Sequence, residues 1–481
     1  MVLFALVARA TVDAAFEVYE NADVGHGRLG ALALLGSNVT SPRACQALCV
    51  GACRSFVFYH SDYRDASLAA TCHGDASGAW RPFYSDLSAP LAWGRVTSGQ
   101  RDPRTVVTPC ADRGDCSYNG VCSDAGTCAC YPQWMGLRCG QLALAPTRRD
   151  AGLQAADAGG RVSTWGGSVV RDPATGLYHM WAAEMTRHCG IVVWMSNSRV
   201  RHAVSATPEG PFEPRDVAFG VWGHEPTVAR DPSTGEFVLF WTASFGAVPC
   251  SGAECGDCDD GDSVGAANAS RADCLPDASC TWPGGEFPLA TYMSFAADPS
   301  GPWSDPVEVP APGAWDTNLA PIIRKDGSLV GLGRPPYVWR AADWRNASTY
   351  AVSAADATIA GEDPYLYVDA RDPDVLHALS HAGGWDSSGG HAWSVDGGDT
   401  WRRHDDVAAY GASTRAPRSL ILYDDGSSAS LSRRERPHLV FDAAGAPVAL
   451  ANGATRAWPC THPLHCPRDA CFTALQRLSY E

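Results

Sequence analysis

The stretch that decides the fold lies between residues 361 and 369 and reads Gly361-Glu362-Asp363-Pro364-Tyr365-Leu366-Tyr367-Val368-Asp369. A charged pair and a proline precede a short β-type run that ends at a turn. The same arrangement occurs five times after residue 160; the other copies are 165–170, 224–229, 318–323 and 435–440. A β-rich unit that recurs at intervals of tens of residues indicates a solenoid or a propeller, and strands without helical periodicity favour the propeller.

The turns that follow the copies support this interpretation. Two of them are nearly identical, reading RDPATGLYHMWAA from Arg171 and RDPSTGEFVLFWTA from Arg230. Asp-Pro, Asp-Gly and Gly between β-rich runs are typical of hairpins. The sequence therefore predicts a mainly β protein whose residues 161–481 form a five-bladed β-propeller.

Charge excludes one class of partner. The chain has 481 residues, with 53 acidic against 37 basic side chains and a net charge of −16. Nucleic-acid-binding proteins carry basic patches, so no nucleic acid is expected as a partner. After the N-terminus no stretch approaches the roughly 18 apolar residues that a membrane helix needs, so no transmembrane segment is predicted.

Cysteine usage indicates an oxidising compartment. Nineteen cysteines cluster at short spacings, as in extracellular proteins. The N-terminus, MVLFALVARA, resembles a short signal peptide within residues 1–14, although it lacks a basic start. Three sequons predict glycosylation at Asn38, Asn268 and Asn346. We therefore expect a secreted or cell-surface glycoprotein.

Residues 16–101 resemble the PAN/Apple fold. A Cys-x3-Cys pair, Cys45 and Cys49, is followed by Cys53 before an aromatic run and then by Cys72. The resemblance implies disulfides between Cys45 and Cys72 and between Cys49 and Cys53. PAN modules bind proteins or sugars, so protein partners through this unit are expected; another small disulfide domain is the alternative.

Residues 106–141 resemble an EGF-like module. Its six cysteines and its tail, with Trp134 and Gly136, carry the resemblance; the cysteines are Cys110, Cys116, Cys122, Cys128, Cys130 and Cys139. The family pairs the first with the third, the second with the fourth and the fifth with the sixth. So small a unit depends on crosslinks for its stability. The module lacks the calcium signature, and a rigid spacer is its expected role, with residues 142–160 as a linker.

A second repeat lies inside the predicted blades. Residues 202–212 match residues 293–303, each with a strand, a Gly-Pro turn and an aromatic residue. Residues 394–401, SVDGGDTW, match the Asp-box of sialidase-type propellers, which is a structural turn and no sialidase signature. Together these hairpins resemble the five-bladed propellers of glycoside hydrolase family 43 and its relatives over about residues 162–455.

The resemblance implies a site where the innermost strands begin, at the mouth of the central cavity. Glu362, two residues before a proline in blade four, takes the place of the family's general acid. The family's blade-one base falls on Gly166, and its blade-three acid falls on Asn318. One family acid is therefore retained and two are replaced.

Other polar residues at or near the blade starts are the remaining candidates. A glycoside hydrolase normally uses two carboxyl groups roughly 5–10 Å apart, and Glu225, Asp363 and Glu435 are the candidates beside Glu362. Acids beside turns also cap strand ends, so a structural role is an equal alternative for each residue except Glu362. The candidate substrate-binding residues are Trp165 (as a stacking platform or a core residue), His224, Asn318, His391, Arg434 and Arg436.

One insertion, residues 249–287, interrupts blade two and holds five cysteines. Its acidic run lacks a full calcium-loop signature, and its cysteine spacing fits zinc poorly. We expect a loop pinned by disulfides at the rim of the cavity. No metal and no cofactor are predicted, and a structural calcium ion is not indicated.

Two functions from different classes follow. The first is a glycoside-hydrolase-like protein that acts on a polysaccharide or a glycoconjugate. The alternative is a catalytically inactive carbohydrate-binding, adhesion or extracellular-matrix protein, favoured by the two replaced acids. Fold alone does not decide between them.

Overall fold

The computed structural model describes residues 109–479 except for 137, 154–155, 158–159, 186–190, 192–193, 195–197, 221–222, 244–288, 312–315, 335, 356–358, 360–361, 370, 382–388, 405–407, 412–418 and 457–470. Upstream of residue 109 it describes the backbone of five strands. The chain divides into two compact units, Met1–Cys110 with Arg415–Pro417, and Ala111–Thr414 with Arg418–Glu481. Within these described residues no helix has the length and apolarity of a membrane span.

The first unit contains one antiparallel sheet. Its strands are β1 (Phe16–Glu20), β2 (Ala33–Gly36), β3 (Ser55–Tyr59), β4 (Cys72–Asp75) and β5 (Val96–Arg101). They are ordered β1-β5-β3-β4-β2. Several expectations fall outside the described residues or side chains: the signal peptide, the PAN-type disulfides, the sequons at Asn38 and Asn268, and the whole 249–287 insertion. Asn346 is described; it is exposed and caps a 3-10 helix, Ala347–Thr349.

The second unit begins with a small disulfide module, residues 109–142. It contains a 3-10 helix (Gly114–Cys116) and strands β6 (Gly120–Cys122), β7 (Cys128–Cys130), β8 (Trp134–Met135) and β9 (Gln141–Leu142). Disulfides join Cys116 to Cys128 and Cys130 to Cys139, the pairings expected for these four cysteines. Cys110 and Cys122 are also disulfide-bonded.

After a short hairpin of β10 (Ala156–Asp157) and β11 (Gly160–Arg161), five four-stranded antiparallel sheets follow in chain order. Blade one holds β12 (Thr164–Arg171), β13 (Tyr178–Met185), β14 (Ser198–Ser205) and β15 (Glu213–Phe219). Blade two holds β16 (Gly223–Arg230), β17 (Phe237–Ala243), β18 (Ala290–Ala296) and β19 (Val307–Val309). Blade three holds β20 (Ala320–Ile323), β21 (Leu329–Gly333), β22 (Tyr337–Ala341) and β23 (Tyr350–Ala354).

Blade four holds β24 (Glu362–Val368), β25 (Leu376–His381), β26 (Gly389–Ser394) and β27 (Arg402–Arg403). Blade five holds β28 (Ser419–Leu422), β29 (Ser428–Phe441), β30 (Pro447–Arg456) and β31 (Cys471–Arg477). The innermost strands touch in a closed circle, β12–β16–β20–β24–β29 and back to β12. The five-bladed propeller predicted from the repeated units is thus confirmed.

Two hairpin turns, one after the innermost strand of blade one and one between β26 and β27, explain why the repeated sequences matter. Asp172 accepts hydrogen bonds from the backbone amides of Ala174 (3.0 Å) and Thr175 (3.1 Å). In the Asp-box, Asp396 accepts from the backbone amides of Asp399 (3.1 Å) and Thr400 (2.9 Å). A carboxylate that accepts from amides two to four residues ahead fixes a tight turn. These aspartates are therefore turn residues and not part of a site.

Residues 142–153, interpreted above as the start of a linker, form the outer edge of blade five. Leu144 bridges Leu478, and Leu153 bridges Thr473. The amide of Ala145 donates to the carbonyl of Arg477 (2.9 Å), and that of Leu153 donates to Thr473 (2.9 Å). The chain before blade one thus pairs with the last strand of the propeller. This pairing satisfies backbone groups of β31 that would otherwise be exposed at the edge of the sheet. We call residues 142–153 the closing segment.

The disulfide module packs on blade four instead of standing apart as a spacer. Its Trp134 is 3% exposed, and the ring lies 4.9 Å from that of His391. Arg113 forms an ion pair with Asp372. The amide of Leu142 donates to the carbonyl of Ala409 (2.8 Å). The module and the propeller therefore share a core.

Candidate active site

The innermost strand of each blade carries, within it or just before it, a residue in the left-handed backbone conformation. These residues are Gly166 (φ 67°), Glu225 (50°), Asn318 (47°), Asp363 (51°) and Arg436 (51°). In four of the five blades the strand register shifts around this residue, as in a β-bulge. A bulge re-aims the side chain that it contains. We call these five positions the axis slots.

Side chains from different slots meet. Asn318 of blade three donates a 2.6 Å hydrogen bond to Oδ1 of Asp363 in blade four. Nη1 of Arg436 in blade five lies 3.1 Å from Oε2 of Glu225 in blade two and 3.6 Å from Oδ1 of Asp363. Contacts across so many blades are made around the central axis. The expected convergence of the blade starts is therefore present.

Arg436 ties the ring of blades together. Its Nη2 donates to the backbone carbonyls of Glu225 and Pro226, the latter at 3.2 Å, and to Oγ1 of Thr227 at 3.3 Å. The side chain is 2% exposed. A buried guanidinium of this kind needs several acceptors and a negative partner, and blade two supplies both.

Gly166 leaves the space that Arg436 crosses. A Cβ atom at residue 166 would lie 2.5 Å from Cδ of Arg436. No side chain fits there while Arg436 keeps its position. The slot where the family resemblance places a catalytic base is thus filled by an arginine from the neighbouring blade.

Gly166→Ala should destabilise the protein more than Gly327→Ala. Both glycines have positive φ, 67° and 82°, and an L-residue there costs about 1–2 kcal/mol. Nothing lies within 4 Å of a Cβ at Gly327, whereas at Gly166 overpacking adds about 1–3 kcal/mol. Denaturant unfolding of both variants measures the difference. Equal losses would contradict the packing of Arg436 against Gly166.

A second arginine bridges two further carboxyl groups. Nη2 of Arg334, just after β21, lies 2.8 Å from Oδ2 of Asp316, and its Nη1 pairs with Oε1 of Glu362. Oδ1 of Asp316 accepts from Oγ1 of Thr242 at 2.8 Å. Blade three therefore supplies a carboxyl group after all, from a residue two positions before Asn318.

Three of the carboxyl groups have raised pKa values. Burial raises the pKa of Glu225 well above its usual range. The negative charges of Asp316 and Asp363 raise it further, whereas the positive charge of Arg436 lowers it in part. Burial also raises the pKa of Asp316, opposed by Arg334. The pKa of Glu362 is raised by burial and by the charge of Asp363, and Arg334 lowers it in part. Crowded carboxyl groups in a cleft are held protonated to higher pH than usual.

Glu362 is the most accessible of these carboxyl groups. Its side chain is 38% exposed, against 8% for Glu225, 4% for Asp363 and 2% for Asp316. Glu362 combines a raised pKa with access from the cavity. This combination is the one a general acid requires.

His381 completes the polar cluster from the end of β25. It pairs with Glu362 across the hairpin, with Nδ1 3.7 Å from Oε2 of Glu362 and Nε2 3.9 Å from Oε1 of Glu435. Within the described part of the chain neither ring nitrogen has a hydrogen-bond partner, and the side chain is 1% exposed. His381 therefore stands between two carboxyl groups without a direct hydrogen bond to either.

Asp363, His381 and Glu435 could together hold a cation. One ligand atom from each lies within 4.8 Å of the others, and a mixed nitrogen and carboxylate set suits several transition metals. A second group of this kind, Cys110 with Cys116 and Cys128, is excluded because these thiols are in disulfides.

His224 is fixed and neutral beside Glu225. Its Nδ1 lies 2.7 Å from Oγ of Ser198, and the ring stacks on Trp194 at 4.4 Å. Burial lowers the pKa of His224 well below its usual range, and Arg436 and Arg334 lower it further. Its Nε2 is 3.6 Å from Oε1 of Glu225. His224 therefore lies beside Glu225, and its role in substrate binding stays a prediction.

Three other candidates lie in different surroundings. Trp165 is 2% exposed and packs with Ala183 and Met185. Of the two roles expected for it, stacking platform or core residue, this packing is that of a core residue. His391 is a correction: it lies on β26 under the disulfide module, where its Nε2 is 3.0 Å from Nδ1 of His377 and its ring contacts Trp134. The guanidinium of Arg434 bonds Asn452 within blade five (2.9 Å), and burial lowers its pKa to about 10.

Sequence reasoning missed three site residues. Asp316 stands just before β20, whereas Arg334 and His381 both stand at the end of a blade's second strand, where the hairpin returns to the blade start. His381 is the direct register partner of Glu362. Counting back along each hairpin from its turn would have identified the positions of Arg334 and His381, because antiparallel pairing fixes which residues face each other.

No family model matches the sequence, and neither does any protein of curated function. Solved structures do resemble the chain. A GH43 protein of Bacillus licheniformis aligns with 66% of this chain at 12% identity and a TM-score of 0.41, and this chain spans about half (53%) of its length. A family 117 glycoside hydrolase from Zobellia galactanivorans aligns with 71% of this chain and 91% of its own at 11% identity, TM-score 0.42.

An α-L-arabinofuranosidase from Lactobacillus brevis aligns with 66% of this chain and 90% of its own length, at 11% identity and a TM-score of 0.41. Identities and scores at this level do not transfer an activity from any of these enzymes. The function has to be argued from the side chains at the axis.

Proposed function

We propose that this protein is a glycoside-hydrolase-like enzyme that acts on a polysaccharide or a glycoconjugate. The observation that carries the proposal is Glu362, a carboxyl group at the propeller axis that is accessible and has a raised pKa. It stands among the carboxyl groups of Glu225, Asp316 and Asp363, which come from three adjacent blades.

In this proposal Glu362 protonates the glycosidic oxygen as the bond to the anomeric carbon breaks. Arg334, which pairs with Glu362 and Asp316, keeps the carboxyl group oriented toward the cavity. In the same step a second carboxylate either activates the water that adds to the anomeric carbon, or bonds to that carbon itself and is later released by water. Asp363 is the candidate for this second role, because Nη1 of Arg436 lies 3.6 Å from its Oδ1 at the axis, whereas the raised pKa of Glu225 favours its protonated form.

The alternative is a carbohydrate-binding or adhesion protein without catalysis. The specific observation in its favour is the blade-one slot, where Gly166 and Arg436 together exclude a carboxyl group. Such a protein would use the same polar ring to bind a glycan through hydrogen bonds. The two functions therefore differ in whether a bond is broken and not in where the ligand lies.

The attached modules support an extracellular setting for either function. The disulfides of residues 110–139 are stable in an oxidising compartment. We propose that this module is EGF-like, that the first sheet belongs to a PAN/Apple-like unit and that the protein is secreted and glycosylated. Protein partners through these modules are part of this proposal.

A hydrolysis and binding screen with the full chain tests the proposal. We expect release of reducing sugar from at least one polysaccharide or glycoprotein glycan, measured against a heat-denatured sample of the same protein. Retention of a glycan without any release of sugar would instead establish the binding alternative. If the protein neither releases sugar from nor retains any glycan of a broad panel, both functions are rejected.

A further inference from the structure

On the opposite end of blade three from the axis slots lies a groove of about 310 Å³. The strand β20 begins just after its axis slot and ends at the turn of residues 324–328. That turn and the end of β22 line the groove, which therefore lies at the end of the blade away from the slot. The Asp-box loop of blade four forms another wall, at Gly397. A cleft of this volume is large enough for a small ligand.

Two guanidinium groups converge on this loop. Nη2 of Arg340 donates to the carbonyl of Gly397 at 3.1 Å and to Oδ1 of Asp399 at 2.5 Å. Nη2 of Arg324 lies 4.0 Å from the position that a Cβ on Gly397 would occupy. The two side chains therefore reach the same loop residue from the end of β20 and from β22, the first and third strands of blade three.

One of the two arginines, Arg340, has an unused donor. Nη1 of Arg340 is buried and, among the described residues, has no hydrogen-bond partner. A buried donor without an acceptor is costly, and an oxygen from a ligand would satisfy it. Two guanidinium groups directed at one place also repel each other unless an anion lies between them.

Carboxylates also border the groove. Asp399, whose side chain is 71% exposed, pairs with Arg340. Asp326 accepts from the amide and hydroxyl of Ser328 in the turn, and these hydrogen bonds and the charge of Arg324 lower its pKa. Lys325 adds a positive charge beside Arg324. An anion in this groove would therefore be held by directed hydrogen bonds from the guanidinium groups and not by an excess of positive charge.

We propose that this groove binds the carboxylate or sulfate group of an acidic sugar. Guanidinium groups present paired N–H donors that match the oxygens of both groups. The site lies apart from the carboxyl groups at the axis, so the same protein can hold an acidic glycan without placing it at Glu362. This inference does not depend on whether the axis site is catalytic.

Calorimetric titration of the full chain tests the proposal with three probes at constant ionic strength: sodium sulfate, sodium glucuronate and neutral glucose. We expect saturable binding of sulfate or glucuronate but not of glucose. Since each charge-assisted hydrogen bond contributes about a tenfold change in affinity, Arg324→Gln and Arg340→Gln should each weaken binding by about tenfold or more. Tighter binding of sulfate would indicate a sulfated sugar as the ligand, and tighter binding of glucuronate would indicate a sugar with a carboxylate group.

Arg215→Gln is the matched control, because Arg215 is exposed on β15 and its loss changes the net charge equally. It should leave anion binding unchanged. Thermal unfolding and the glycan screen show whether the groove variants remain folded. Absence of saturable anion binding by the wild type, or equal loss in Arg215→Gln, would overturn the proposal even if the axis site hydrolyses glycans.

Discussion

Glu362→Gln should reduce glycan hydrolysis by about 100- to 10,000-fold, the typical contribution of general acid catalysis. Glutamine keeps the shape of the side chain and its hydrogen bond from Arg334 but has no proton to deliver. The side chain is 38% exposed, so the free energy of unfolding should change little. The measurement is the rate of sugar release at saturating substrate, together with a denaturant unfolding curve.

The pH dependence adds a second readout. The pKa of Glu362 is raised by burial and by Asp363, so its proton is retained to a higher pH than in an ordinary glutamate. Hydrolysis should therefore persist above the usual carboxyl range and fall as pH rises through this raised pKa. The residual activity of the glutamine variant should lack this decline.

Glu308→Gln serves as the control for this substitution. Glu308 is an exposed residue of β19, and its replacement by glutamine removes the same charge. It should keep full activity. Full hydrolysis by Glu362→Gln would remove this residue from the mechanism. Unchanged glycan retention by both variants, in a protein that releases no sugar, would favour the binding alternative.

A fragment that begins at residue 154 should fail to fold into a stable propeller. It lacks the closing segment, whose Leu142 and Leu153 are 1% and 0% exposed. Deleting the side chain of one buried leucine costs about 2–5 kcal/mol, and a domain has only about 5–15 kcal/mol in total. The fragment would also expose the edge of β31, which invites aggregation.

A fragment of residues 109–481 is the comparison, since it keeps both the disulfide module and the closing segment. It should be soluble and monomeric in size-exclusion chromatography and unfold cooperatively, whereas the shorter fragment should be insoluble or non-cooperative. Cooperative unfolding of the fragment from residue 154, with a similar midpoint, would show that blade five does not need its outer edge.

Much of the propeller could be predicted because its repeats are local. A charged pair with proline, an Asp-Pro or Asp-Gly turn and an alternating strand each follow from propensities of neighbouring residues. Glu362 and Glu225 were identified in this way, since each stands at a recognisable blade start. Their raised pKa values depend on residues from other blades and could not be read from the local pattern.

The errors arose where distant segments meet. Residues 142–153 have the composition of a linker, but their backbone groups pair with β31, more than 300 residues later. His391 has the residue type of a site histidine, but Trp134 of the disulfide module covers it. Nothing in the neighbouring sequence of either segment records its partner.

The five axis slots have a consequence for how such a protein can change its chemistry. Each slot is defined by a left-handed residue, and in four of the five blades also by a backbone bulge, so the backbone sets the direction of the side chain whatever residue stands there. Glycine, asparagine and aspartate tolerate this conformation best, and three slots hold these residues. At Asn318 and Asp363 a single codon change can exchange an amide for a carboxylate at the axis, whereas Gly166 admits neither group while Arg436 crosses its slot. The five positions share one frame but are coupled, because Asn318 donates a hydrogen bond to Asp363 and Arg436 contacts both Glu225 and Asp363.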